Sequence, residues 1–127
     1  MSQVWAQKLI DDTLEKLCED GFGIEGLGVF SKQGRLVAHN FGDPKVTDEQ
    51  AEVIAALLLF AKHAKEALRI GTLEELHIEG KKRSLLLYDM QNGVLAVMVG
   101  REANIGLVNL ETRQAIKQID EWLSLPA

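Results

Sequence analysis

Apolar residues recur along this chain at two different periods, and the switches between the periods mark out its elements. Ile10, Leu14, Leu17 and Cys18 stand three and four residues apart, the spacing of one helix face. A helix is therefore predicted over Val4 to Asp20, with Val4 and Trp5 able to lengthen its stripe and Gly21 placed to end it. Ile24 to Ser31 then reads as a strand, Lys32-Gln33-Gly34 as a tight turn, and Arg35 to Asn40 as the returning strand. Leu27, Val29, Leu36 and Val37 supply the apolar positions of that hairpin. Phe41-Gly42-Asp43-Pro44-Lys45 reads as a loop, because glycine and proline both interrupt regular structure.

Thr47-Asp48-Glu49-Gln50 has the form of a capping box, in which the Thr47 hydroxyl accepts from the Gln50 N–H and the Gln50 side chain reaches back. A second helix is predicted from there to about Ile70, with Gly71 as its stop. Leu73 to Glu79 alternates, with Leu76 and Ile78 on one face and Glu75, His77 and Glu79 on the other. Arg83 to Met90 and Val94 to Val99 are more continuously apolar, as strands covered on both faces are. Between them Asn92-Gly93 is the strongest hairpin signal, since both residues tolerate positive φ. A last helix is expected from near Asn104 to before Pro126, with Leu107, Leu110, Ile116, Ile119 and Leu123 as its stripe and Trp122 beside it. The order α-β-β-α-β-β-β-α, its strands joined largely by hairpins, predicts an α+β sandwich. One five-stranded, mainly antiparallel sheet carries the helices, and residues 1–127 form a single domain.

Composition narrows function more than it narrows fold. The 46% hydrophobic and 26% charged residues are ordinary globular values. A net charge of −5 argues against a nucleic-acid partner, and the basic run Lys81-Lys82-Arg83 falls between strands, where it reads as a solvated turn. The lone Cys18 has no disulfide partner in the chain, which fits a reducing compartment, and it reads as a small buried hydrophobe. The first ten residues lack a signal-peptide core, and the longest apolar run, Val53 to Ala61, is too short to span a bilayer. A cytoplasmic protein without membrane insertion is expected.

Gly21-Phe22-Gly23-Ile24-Glu25-Gly26 has the spacing of a dinucleotide loop, but that loop works only between a strand and a following helix. Here a helix precedes and a strand follows. The glycines are instead expected to cap the helix and let the first strand pass close to a packed helix. His39, His63 and His77 sit on separate elements without ligand spacing, and the Asp11-Asp12 and Glu74-Glu75 doublets point apart. No catalytic, cofactor-binding or metal-binding residue is nominated, and no cofactor is expected.

The second helix carries the most information. On a wheel of about 100° per residue, Ala67, Phe60, Val53, Ala64, Leu57, Leu68, Ala61, Ile54 and Leu58 fill about half the circumference, whereas a helix on one sheet needs little more than 100°. Leu59 and Ile70 fall outside that arc, beside His63 and Glu66. With the other two helices needed on the opposite sheet face, the surplus predicts an interface with a second chain. Val53, Leu57, Phe60 and Ala64 are expected to serve both the sheet and a twin helix. The alternating third strand, with Leu76 and Ile78, reads as an edge able to pair with its own copy.

This order of elements resembles the roadblock/LC7 domain family, in its MglB-like prokaryotic form. So do Gly28-Val29-Phe30-Ser31-Lys32-Gln33-Gly34-Arg35-Leu36-Val37-Ala38 and the second helix rich in small residues. Ala96-Val97-Met98-Val99, followed by Ala103-Asn104-Ile105-Gly106-Leu107-Val108, is similar to the family's last strand and its approach to the closing helix. The resemblance covers about residues 5–120. It implies a roadblock/profilin-like fold and a homodimer whose second helices pair and whose third strands join, placing Val53, Leu57, Phe60, Ala64, Leu76 and Ile78 in the interface. It also implies a non-enzymatic scaffold or regulator of a Ras-like small GTPase, with Leu59, Lys62, His63 and Glu66 as the partner surface. The alternative is a structural adaptor of dynein-light-chain type without effect on nucleotide turnover. A ligand-sensing domain would need an internal pocket, and the bulky Leu85, Leu87, Val97 and Val99 speak instead for a filled core.

Overall fold

Strands with apolar residues on both faces need cover on both faces, and this chain has three helices to supply it. The computed structural model describes residues 3–20, 22–41 and 44–125. Its elements are α1 (Gln3–Glu19), β1 (Ile24–Phe30), β2 (Leu36–Asn40), α2 (Pro44–Ala67), β3 (Glu75–Glu79), β4 (Arg83–Asp89), β5 (Val94–Gly100) and α3 (Ile105–Leu123), in the order expected from the sequence. The strands form one five-stranded sheet in the order β2-β1-β5-β4-β3, with every neighbouring pair antiparallel. β5 lies at its centre, which accounts for the unbroken burial of Val94 to Val97.

The sheet divides the interior into two layers. On one side Ile10, Leu14 and Leu17 of α1, with Val108 and Ile119 of α3, close over Leu27, Val29, Leu86, Leu95 and Val97. On the other side Ile54 and Leu58 of α2 close over Phe30, Leu87, Val94 and Ala96. Two helices thus cover one face and a single helix covers the other.

Several local expectations are corrected. α2 begins at Pro44, so Pro44 and Lys45 are helical rather than loop, and Thr47 lies inside the helix rather than at its cap. Proline suits a first turn, where its fixed φ is helical and its missing N–H would have had no partner. The Thr47 side chain, Gly21, Gly42, Asp43 and Pro126 lie outside the described residues. At the other end α2 stops before Gly71. Arg69 takes the left-handed conformation (φ 53°), with its N–H donating to the Glu66 carbonyl at 3.4 Å and the Ile70 N–H to the Lys65 carbonyl at 3.1 Å. That is the paired reverse bonding that closes a helix, built on an arginine where glycine is the usual choice.

The β4–β5 hairpin forms at Asn92-Gly93, but neither residue has positive φ. The turn is held from a distance by the Asp120 carboxylate of α3. Its oxygens accept the Gln91 N–H at 3.0 Å, the Asn92 N–H at 2.8 Å and the Asn92 side-chain amide at 3.0 Å. Gly93 is required for room instead, since a Cβ there would stand 2.5 Å from the Phe30 carbonyl oxygen. The glycines after α1 likewise meet no helix: a Cβ on Gly23 would collide with Ala103, and one on Gly26 with the Phe41 ring. In α3 the buried line runs through Val108, Thr112 and Ile119, while Leu107 and Leu110 turn outward, because at about 100° per residue they lie across the helix from that line. Asn104 caps α3, its side-chain oxygen accepting the Leu107 N–H at 3.1 Å.

Two substitutions test these assignments in urea unfolding. Asp120→Ala leaves the Gln91 and Asn92 amides without their acceptor and is expected to cost about 1–3 kcal/mol. Arg69→Gly relieves a left-handed non-glycine residue and is expected to add between a few tenths and about 1 kcal/mol.

Candidate functional site

A helix that alone covers a sheet face should turn one line of side chains inward and leave the rest polar. α2 does the first and not the second. Its inward line is Ala51, Ile54, Leu58 and Ala61, while Leu57 and Ala64 stand half-buried on its rim. Past that rim Val53 is 59% exposed and Phe60 73%, with Ala56 and Ala67 exposed beside them. Val53 and Phe60 therefore do not share in covering the sheet, which corrects that part of the sequence reading. Val53, Ala56, Phe60, His63 and Ala67 follow alternating steps of three and four residues, the seam pattern of a helix that pairs with another. Ala67 belongs to the apolar arc read from the sequence but not to the expected interface set, and Ala56 belongs to neither; the seven-residue repeat is the signal for both.

The opposite flank differs in chemistry. Leu59, also 59% exposed, is surrounded on the helix by exposed Lys62, His63 and Glu66. An apolar flank and a mixed charged one thus lie on the two sides of the same helix, with His63 between them.

β3, one of the two sheet edges, adds to the apolar flank. Leu76 packs half-buried in the α2 layer and Ile78, on the same face, is 43% exposed. The other face of β3 is polar and occupied. The Glu75 carboxylate sits 2.6 Å from the Arg113 guanidinium of α3 and 3.7 Å from the His77 ring. Opposite Glu75, Tyr88 of β4 donates its hydroxyl to the Asn109 side-chain oxygen at 2.9 Å. Burial pushes the Tyr88 phenol up to about 12; the Glu75 carboxylate adds to the shift and Arg113 opposes it.

The remaining polar residues stay dispersed. His39 stacks on Phe41 beside β2, far along the sheet from His77 on β3. Burial raises the Cys18 thiol, so it stays protonated and a poor nucleophile. Lys81 and Lys82 form the exposed turn expected, whereas Arg83 already opens β4, exposed and 3.5 Å from Glu25. A cleft of about 960 Å³ opens between α3 and the segment before β3, away from the exposed flank of α2. Among the described residues, no helix is long and apolar enough to cross a membrane.

The model of the Roadblock/LC7 domain matches residues 10–99. An uncharacterized protein of Methanocaldococcus jannaschii is 32% identical over 101 residues, covering 76% of this chain and 85% of its own length. The chain belongs to the Roadblock/LC7 domain family. Among solved structures, the Roadblock/LC7 domain from Streptomyces avermitilis superposes with a TM-score of 0.83 at 20% identity, over 91% of this chain and 98% of that one. Myxococcus xanthus MglB gives 0.84 at 19% identity, over 95% and 94%. At these identities the two structures speak for the fold of this roadblock domain, and its own side chains must carry any argument about surfaces.

The Tyr88 environment gives a pH signature for this roadblock domain. Its folded-state value lies above the ordinary tyrosine value of 10.0, so the folded form holds its proton where the unfolded form has lost it. Stability is expected to be intact below about pH 10 and to fall as pH rises from there towards 12. Tyr88→Phe should remove that part of the slope in denaturation curves taken across this range.

Proposed function

We propose that this roadblock domain is a non-enzymatic homodimeric platform that regulates or scaffolds a Ras-like small GTPase. The observation that carries the proposal is the exposed apolar flank of α2, with Phe60 and Val53 in water on a helix already seated on its own sheet. Each such side chain gains about 1.5–3 kcal/mol when fully covered, so the flank favours a partner of the same character. A second copy offers one. Val53, Leu57, Phe60 and Ala64 face the twin helix, and Leu76 and Ile78 bring the β3 edges together. That arrangement leaves Leu59, Lys62, His63 and Glu66 on the outer flank, doubled by symmetry, as the surface for the GTPase. Mixed charge around one exposed leucine suits a partner that comes and goes, in contrast to the apolar flank. In this reading residues 1–127 act as one domain in the cytoplasm, where the lone cysteine stays reduced. The family membership and the likeness of fold to MglB support the role without naming the GTPase.

Two experiments separate the parts of this reading. In light scattering at micromolar concentration the native chain should have twice its monomer mass. Phe60→Asp, which puts a charge into a desolvated contact, should reduce it to one; an unchanged mass means that the contact lies elsewhere. A Ras-like GTPase encoded beside this chain should bind the dimer and change its rate of GTP hydrolysis. Leu59→Asp should abolish that change while leaving the dimer intact. Binding with no change in rate identifies the adaptor role instead.

A further inference from the structure

The sheet has a second open edge, at β2, and it differs from β3 in what lies beside it. Among the described residues β2 pairs only with β1, and none pairs with its main chain on the outer side. Such edges are templates for another strand unless blocked. The block here covers one end only. The register shift opposite Phe30 leaves Val37 out of the ladder, and Gln7 of α1 donates its side-chain amide to the Val37 carbonyl at 3.1 Å. Among the described residues no side chain bonds the main chain of Ala38, His39 or Asn40 in this way.

α1 runs alongside, from Gln7 at Val37 to Cys18 at Asn40. Between helix and strand lies an open cleft of about 630 Å³, lined by Gln7, Asp11, Glu15 and Glu19 on one side and residues 37–40 on the other. Among the described residues the lining holds three carboxylates and no lysine or arginine. Among the described residues none of the three carboxylates is ion-paired, and Asp11 accepts only a 3.3 Å bond from Gln7. Their spacing is informative. Four helical residues advance about 6 Å, and two residues of an extended strand advance about 6.6 Å. The row from Asp11 to Glu19 thus extends about 12 Å, close to the length taken by three alternate side chains of an extended strand.

We propose that the β2 edge and the Asp11–Glu15–Glu19 row form a docking site for an extended basic segment of a partner protein, with lysine or arginine at alternate positions. The segment adds to the sheet as a sixth strand. Its main chain supplies affinity through the open edge, and its cations supply the choice of sequence. The charge of the cleft decides the occupant: an acidic strand or a nucleic acid is repelled, and a helix leaves the edge groups unpaired. The site is independent of the α2 reading, which uses the other edge.

The test uses the full chain and a fluorescein-labelled nine-residue peptide of alternating lysine and threonine, read by anisotropy. Saturable binding is expected, absent for the same peptide with glutamate in place of lysine. Two further lysine peptides carry N-methyl groups on alternate amides, one on each of the two alternating sets. Strand addition predicts that one of them loses binding by about tenfold or more and the other does not, because only one set faces the edge. The double variant Glu15→Lys, Glu19→Lys, at two exposed positions, should also weaken binding by about tenfold or more with an unchanged circular dichroism spectrum. Equal binding by the lysine and glutamate peptides, by both N-methylated peptides, or by the double variant overturns the proposal.

Discussion

The structure depends on an imbalance in cover. One sheet presents two apolar faces, and α1 and α3 together close one of them over Leu27, Leu95 and Val97. α2 alone closes the other, through the short line of Ile54, Leu58 and Ala61. A single helix has a limited contact width, so any apolar residue beyond that line is left in water. Val53 and Phe60 are such residues, 59% and 73% exposed on a helix already seated on its own sheet. The hydrophobic term that builds the core is therefore unfinished along this flank, and a functional surface is sought there.

Elsewhere the polar residues act as fixed points. Asp120 of α3 reaches across to hold the β4–β5 turn, joining the last helix to the central strands. Glu75 and Arg113 tie the β3 edge to the same helix. With the polar face of β3 committed to α3, only its Leu76 and Ile78 face adjoins the α2 layer. Apolar surplus on α2 and apolar surface on β3 thus fall on one side of the molecule. The β2 edge, at the far end of the sheet, carries acid instead of hydrocarbon. The two edges are chemically distinct, and this keeps one kind of contact from substituting for the other.

Much of this was legible in the sequence because it is written in short-range periods. The two-residue alternation of Leu76 and Ile78, the continuous runs of β4 and β5, and the helical spacing of Ile10, Leu14 and Leu17 each express burial directly. The excess on α2 was legible for the same reason, as a stripe wider than one sheet needs. The division of that stripe was not, since a helical wheel gives width but not the direction of the sheet. Val53 and Phe60 fell inside the arc yet outside the contact. The same ambiguity placed Leu107 and Leu110 on the buried side of α3, when the inward line is centred on Val108 and Ile119. Long-range devices were out of reach. Asn92-Gly93 announced a hairpin, but its bonds go to a carboxylate in another element, and no local rule points from Asn92 to Asp120. Arg69 at the end of α2 contradicts the local preference for glycine, which is why Gly71 drew the prediction.

The central claim is that the exposed flank of α2 is covered by the same flank of a second copy. The most direct measurement is an isotope-filtered nuclear Overhauser experiment on an equal mixture of carbon-13-labelled and unlabelled chains. The account predicts intermolecular contacts from the Phe60 ring to the methyl groups of Val53 and Ala64 across the two-fold axis. Absence of intermolecular contacts at Phe60, with contacts found at another surface or nowhere, would contradict it.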